Sequence, residues 1–391
     1  MDNAQVLAGL KEHFFEKAPH YDLKFSFPHE NFSEIVKSNF HTLTLPETYG
    51  GKNYGFERTS SLLVELASGC AATTLCLAMH YYTLAGLGRM MDNEMLSKVF
   101  EDIYERGEFI SSFNQPNVML QKARESPKDL VKIKIEKVEG GYVIDGIKMF
   151  VSGSERFKYL PVYGIQENTQ TKLGITALMV TKDDTGAVIE NAWNSSSMKG
   201  TMSHHVRLKS VFVPKDRLIG REGYAIEDTN ELTYWSRLTI SSVYHGIAKA
   251  AIDYITRIMK QKRDAYSQTP LAFLPGPQFT LADMLIKFET ASSQLLTFAR
   301  QADHERKQGR FSDDLFQKSL ITKYYITNTA NEIVWMAMQI EGMNSLNQGQ
   351  LLERLYRDVR AATFHQPSDD LLKELLAKKA LGVITLKNRW A

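Results

Sequence analysis

Between residues 129 and 214 the hydrophobic period of this chain changes from that of helices to that of strands, and this change constrains the fold more than any other feature. Val131, Ile133 and Ile135 alternate with Lys132, Lys134 and Glu136, making one face apolar and the other charged. The period of two returns at 142–144, 147–152, 174–180 and 206–213, and Gly140-Gly141 and Asp145-Gly146 read as turns. This pattern predicts short antiparallel strands joined by hairpins. Before it, 4–18, 32–39, 60–80 and 90–105 carry helical spacings. After it, Ile240, Val243, Ile247, Ala251, Ile255 and Ile258 form one continuous stripe. Pro270, Pro275, Gly276 and Pro277 interrupt the helices, which resume over 279–304, 311–341 and 369–381. His80 is expected to cap the end of its helix, and Ser368 to start the last one. The fold class predicted is α+β, mostly α: an N-terminal helical domain (1–108), a middle antiparallel β domain (109–222) and a C-terminal helical-bundle domain (223–391).

At 391 residues the chain is long enough for two or three such domains. Its 47 basic and 45 acidic residues nearly balance, and no basic-aromatic run points to nucleic acid. No apolar stretch reaches the roughly 20 residues of a membrane span. The start, Met1-Asp2-Asn3, lacks the regions of a secretory signal, so a cytoplasmic setting is expected. The two cysteines, Cys70 and Cys76, lie in one apolar helical pattern and read as buried free thiols.

Six motifs in order resemble the acyl-CoA dehydrogenase family. They are Pro46-Glu47-x-Tyr49-Gly50-Gly51; Glu65-Leu66-Ala67 with His80; Tyr142-Val143-Ile144-Asp145-Gly146-x-Lys148-x-Phe150-Val151-Ser152; Met198-Lys199-Gly200-Thr201-x-Ser203; Val211-x-Val213-Pro214; and Gln339-x-x-Gly342 with Arg357-Asp358-x-Arg360. The resemblance implies an FAD enzyme with a C-terminal four-helix bundle, acting in fatty acid metabolism. It places Phe150 and Ser152 against the isoalloxazine ring, as an aromatic cover and a hydrogen-bonding hydroxyl. Ser111 and Asn114 stand where the family offers further ring contacts. Arg263, in Arg263-Asp264-Ala265-Tyr266-Ser267, is similar to the Arg-x-x-Phe-Gly element that grips the FAD pyrophosphate of a neighbouring subunit, with Tyr266 at the aromatic position. Gln339 and Gly342 match partner-subunit contacts to that group, and Ser368 joins the cofactor-side candidates. A homo-oligomer, dimer or tetramer, follows from the resemblance, with an electron-transfer flavoprotein or a flavin reductase as redox partner.

The substrate side departs from the family pattern. Removing the weakly acidic α proton of an acyl thioester needs a positioned base, usually a Glu. In the usual register this chain has Gln366, which cannot ionise; at the alternative position, before Arg237, it has Ser236. His365, Arg237 and Asp370 are the remaining catalytic candidates, with His365 able to act as base or as proton donor in oxygen chemistry. Asp369 and Asp370 also suit the first turn of a helix, and His204 and His205 read as structural. Gln115-Pro116-Asn117-Val118-Met119-Leu120 lacks the glycine with which the family holds pantetheine, which puts CoA in question. Arg357-Asp358-x-Arg360 with Thr363-Phe364-His365-x-Pro367 is similar to flavin-dependent monooxygenases of the same fold as well. Dehydrogenation, monooxygenation with reduced flavin, and a non-catalytic flavoprotein are thus the three readings the sequence leaves open.

Overall fold

The computed structural model describes residues 3–90, 94–116, 131–167, 169–171 and 174–383. Asn117–Leu120 and Asp129, singled out above, lie outside these.

The N-terminal block consists of α1 (Asn3–Lys24), α2 (His29–Lys37), α3 (Phe56–Gly69), α4 (Ala71–Leu87) and α5 (Glu94–Arg106). The helix expected over 60–80 is two, broken where Cys70 is extended (φ −146°, ψ 106°). Every residue of α4 is buried, which an apolar helix surrounded by others requires. His80 therefore is not a terminal cap. It lies mid-helix and ties two segments together: Nε2 donates to the His41 carbonyl (2.9 Å) and Nδ1 accepts from the Ile110 N–H (3.1 Å). Both thiols are free and buried.

Among the described residues the β module has seven strands: β1 (Ile133–Val138), β2 (Gly141–Val151), β3 (Tyr159–Gln166), β4 (Ile175–Thr181), β5 (Ala187–Glu190), β6 (His204–Pro214) and β7 (Leu218–Ile219). They form one sheet in the order β5-β6-β2-β1-β3-β4-β7. The expectation of antiparallel hairpins throughout needs two corrections. β1 and β3 pair in parallel, Lys134 opposite Ile165. Asp145-Gly146 is a bulge within β2 rather than a turn; Gly146 sits at φ +148°, where a Cβ would meet the Lys132 carbonyl at 2.2 Å. β3 gave no alternating signal because it is buried on both faces along its whole length.

The C-terminal block holds the short α6 (Ala225–Asp228), then α7 (Glu231–Gln261), α8 (Pro275–Lys307), α9 (Asp313–Glu341), α10 (Leu351–Val359) and α11 (Asp369–Ala380). α7 is the central rod, 31 residues or roughly 46 Å long. It packs on α3 and α4 on one side and on α8 and α9 on the other. Gly246 lets α3 approach it: a Cβ there would lie 2.5 Å from the Val64 carbonyl. Ser368 occupies the N-cap position of α11 but makes no side-chain capping bond. Among the described residues no helix is long and apolar enough to cross a membrane.

Candidate functional site

The far end of β2 is the most unusual piece of backbone in the sheet. The β2–β6 register slips between Lys148 and Val151, and Phe150, within the slip, adopts φ +56°. A non-glycine residue held there is strained and persists only where neighbours enforce it. The Phe150 N–H donates to His205 Nδ1 (3.2 Å), and its ring meets His205 and Trp193 edge-on at centroid distances of 5.1 and 6.4 Å. Phe150 is consequently 60% exposed, an aromatic platform pushed out of the sheet. Ser152, by contrast, is buried and bonds Ser203 at 2.9 Å. Thr201 donates to the Met198 carbonyl, so single-proton hydroxyls order the relay: Ser203 donates to Thr201 and Ser152 to Ser203. Ser152 Oγ is left as an acceptor.

Two residues before this platform Lys148 is half-buried, with its ammonium enclosed. Its ammonium donates to Ser111 Oγ (3.2 Å) and to the carbonyls of Ser112 (2.5 Å) and Pro161 (2.6 Å). Burial pushes its pKa down to about 7. The Ser111 hydroxyl is therefore engaged inside the wall. Asn114 is exposed; its Oδ1 accepts from Tyr82 (2.6 Å), which leaves the amide N–H groups free to donate outward. Gln115 ties this loop to the start of α7, donating to Thr229 (3.0 Å) and accepting from Thr233 (2.7 Å).

The loop carrying Trp193 docks on the end of α10. Asp358 accepts from the Met198 N–H (2.5 Å) and Arg357 donates to the Ser196 carbonyl (2.9 Å). The 361–368 segment follows directly, and here His365 Nε2 meets the Tyr244 hydroxyl of α7 at 2.7 Å. Burial, reinforced by the charge of Lys323, pulls His365 down to about 4, so its ring is neutral at neutral pH. Nδ1 has no hydrogen-bond partner among the described residues. Gln366 and Asp370 are exposed. The neighbour that turns inward is Asp369, paired with Lys323 (3.2 Å) and Asn328 (2.8 Å). Arg237 lies two turns before Tyr244 on α7, donating to Ser319 (2.7 Å) with Phe316 under its guanidinium (4.7 Å).

The other cofactor candidates are elsewhere. Arg263 and Tyr266 occupy an exposed turn after α7, Tyr266 being 97% exposed. Gln339 and Gly342 are exposed at the end of α9, beside that turn, where Lys262 donates to the Glu341 carbonyl. Roughly 36 Å of α7 runs from Arg237 to the helix end that precedes Arg263.

An exposed, strained aromatic platform with an outward amide donor and a nearby acceptor suits a flat heteroaromatic ring with polar edges. His205, which the sequence reading took as structural, lies against Phe150, while Trp193, Tyr244 and Lys323 carried no sequence signal; all four join the candidate site only through packing.

Comparison with known proteins agrees. The acyl-CoA dehydrogenase N-terminal domain matches residues 4–104, and the acyl-CoA dehydrogenase C-terminal domain matches 226–381. The putative acyl-CoA dehydrogenase YdbM of Bacillus subtilis is 26% identical over 384 residues, covering 96% of both chains. Acryloyl-CoA reductase (NADH) of Anaerotignum propionicum is 23% identical, covering 93% of this chain and 89% of its own. The fold is shared with FMN-bound TdsC from Paenibacillus sp. A11-2, at a TM-score of 0.86, 17% identity and 99% coverage of both chains. With both helical blocks matched in order and relatives spanning nearly the whole chain, this protein belongs to the acyl-CoA dehydrogenase family of flavin oxidoreductases.

Proposed function

We propose that the protein is an FAD-dependent enzyme interconverting saturated and α,β-unsaturated acyl substrates, with His365 as the acid–base group. The observation carrying this reading is His365 itself: a neutral imidazole fixed by Tyr244, with Nδ1 unpartnered among the described residues, next to a position where the family carries a carboxylate and this chain has Gln366. In the tautomer with Nε2–H donating to Tyr244, Nδ1 is free to take the Cα proton. Phe150 covers one face of the ring system, Asn114 donates to its edge and Ser152 accepts. The bound flavin supplies a two-electron acceptor for the hydride leaving Cβ. A base whose conjugate acid titrates near 4 is available throughout the neutral range.

Anaerobic mixing of the FAD-loaded protein with acyl-CoAs of graded length tests this: bleaching of the flavin absorbance is expected. A second reading, monooxygenation with reduced flavin and oxygen, draws on the non-ionisable Gln366 and Ser236 at both family base positions. Product formation only when reduced flavin and oxygen are supplied, with no anaerobic bleaching, selects it.

The separation of the two groups of cofactor candidates supports a shared pocket. Phe150 and Asn114 of one protomer serve the ring, while Arg263, Tyr266, Gln339 and Gly342 of a second reach the diphosphate. Exposed Phe279 and Ile286 on α8 suit a homo-oligomeric interface. An electron-transfer flavoprotein or flavin reductase then serves as redox partner, in a cytoplasmic setting consistent with free buried thiols.

A further inference from the structure

An extra residue in one strand disrupts the ladder where it sits, and its backbone must find other partners. Lys148 pairs with Val206 and Val151 with His204, so Met149 and Phe150 on β2 stand opposite the single residue His205 on β6. There the Phe150 N–H donates to Nδ1 of His205 (3.2 Å). The same imidazole meets the Phe150 ring at 5.1 Å and an interplanar angle of 82°. One side chain thus engages both the backbone and the ring of a residue held at φ +56°. Successive residues of a strand point to opposite faces, and His204 makes the matching bond from its own position. Its Nδ1 accepts from the Trp193 N–H (3.2 Å), with Glu155 facing Nε2 at 3.5 Å. Phe150 and Trp193, whose rings meet at 6.4 Å, are each tied to one of two adjacent imidazoles. A ring nitrogen that accepts carries no proton, so neutral His205 holds its proton on Nε2. A second proton would go to Nδ1 and set one N–H against another.

We infer that His205 is a positioning residue for the flavin: its unprotonated Nδ1 holds Phe150 in the left-handed conformation that turns the ring out of the sheet, and protonation of His205 releases that ring and weakens cofactor binding. This rests on the reading of Phe150 as the cover of the flavin face. A non-glycine residue in the left-handed region persists only where its surroundings over-determine it, and His205 supplies two of the contacts that do so. The charged groups beside His205 are Glu190, directly opposite on β5, and Arg207, which shares the His205 face of β6 and pairs with Glu190 (3.0 Å). Arg207 already occupies that carboxylate, so the hydrogen bond lost on protonation has no ready replacement. On β2 the Lys148 ammonium turns to Ser111 and to the Ser112 and Pro161 carbonyls instead. Phe150 is thereby fixed in one state of the His205 ring and freed in the other.

The test uses the full-length protein with FAD, its affinity measured by equilibrium dialysis and its flavin absorbance recorded from about pH 8 to about pH 5, the window in which an imidazole changes charge. In the unaltered enzyme FAD affinity is expected to fall at least about 10-fold across that window, with a shift of the flavin bands. His205→Gln keeps an acceptor that does not titrate; it should hold FAD at pH 8 and lose the pH step. His205→Leu removes the acceptor and should bind FAD at least about 10-fold more weakly, with the low-pH spectrum at every pH. A merely structural role would not separate the two variants by pH. A step that persists in His205→Gln, unaltered affinity and spectrum in His205→Leu, or no step in the unaltered enzyme overturns the inference. Should His205→Leu not fold, His205→Gln and the unaltered enzyme decide it. Phe150→Leu separates the inference from the reading beneath it. Unchanged FAD affinity and spectrum in Phe150→Leu removes the platform reading; a changed Phe150→Leu beside an unchanged His205→Leu removes the inference alone. If acyl-CoAs bleach the flavin while both His205 variants match the unaltered enzyme, dehydrogenation stands and the positioning role of His205 fails.

Discussion

The sheet side and the helical side of the site treat their polar groups in opposite ways. On the sheet side Lys148 has three acceptors, the Phe150 N–H has His205, and Ser152 ends a relay running to the Met198 carbonyl. On the helical side, among the described residues, Arg237 has one neutral hydroxyl, Lys323 shares its only carboxylate with Asn328, and His365 has an unpartnered nitrogen. A satisfied network holds a shape, because every member is more costly to move than to leave. An unsatisfied one holds a demand, which a ligand can meet. The sheet side is thus the fixed platform and the helical side the reactive wall.

Removing His365 should give the largest effect. His365→Ala is expected to lower kcat by about 10²–10⁴-fold, the usual weight of a general acid–base, while FAD content stays unchanged; unaltered turnover would move the chemistry off the helical side. On the sheet side the damage should be to stability. Lys148→Met orphans the Ser112 and Pro161 carbonyls, and denaturant unfolding should register a loss of about 2–3 kcal/mol. If Lys148→Met instead folds normally and loses only activity, the contrast between the two sides is wrong.

Acid sharpens the comparison further. His80, buried with both ring nitrogens bonded, is pushed by burial down to about 3. The unfolded chain binds a proton there near 6.5 while the folded one does not, so its contribution is present above pH 6.5 and fades as pH falls toward 3. Between pH 7 and 5 this linkage amounts to about 2 kcal/mol, and His80→Gln should flatten that part of the stability profile by about as much. The smallest effect expected is on cofactor retention: Arg263→Ala should weaken FAD binding about 10-fold in equilibrium dialysis, near 1.4 kcal/mol. Full occupancy in that variant would count against a pocket shared between protomers.

Much of this was open to the sequence, and the boundary is physical. Period alone gave the helical blocks and the β module, since periodicity follows from which face is buried. It failed at β3, buried on both faces, and at Asp145-Gly146, where a bulge and a turn demand the same residues. His80 looked like a cap because nothing local reveals that α4 continues seven residues beyond it. Phe150 and His365 were legible through motif resemblance, which also exposed the absent carboxylate at Gln366.

What the chain could not state by itself is charge balance. His205 under Phe150, Tyr244 against His365 and Asp369 on Lys323 join residues 46 to 121 positions apart. Whether a buried cation is paired depends on which elements meet around it, a property of packing rather than of order along the chain. The sequence therefore determined the fold class, the family and the vacancy at the usual base. Only the tertiary structure decided that Asp369 rather than Asp370 turns inward, and that Arg237 is left with a charge to share.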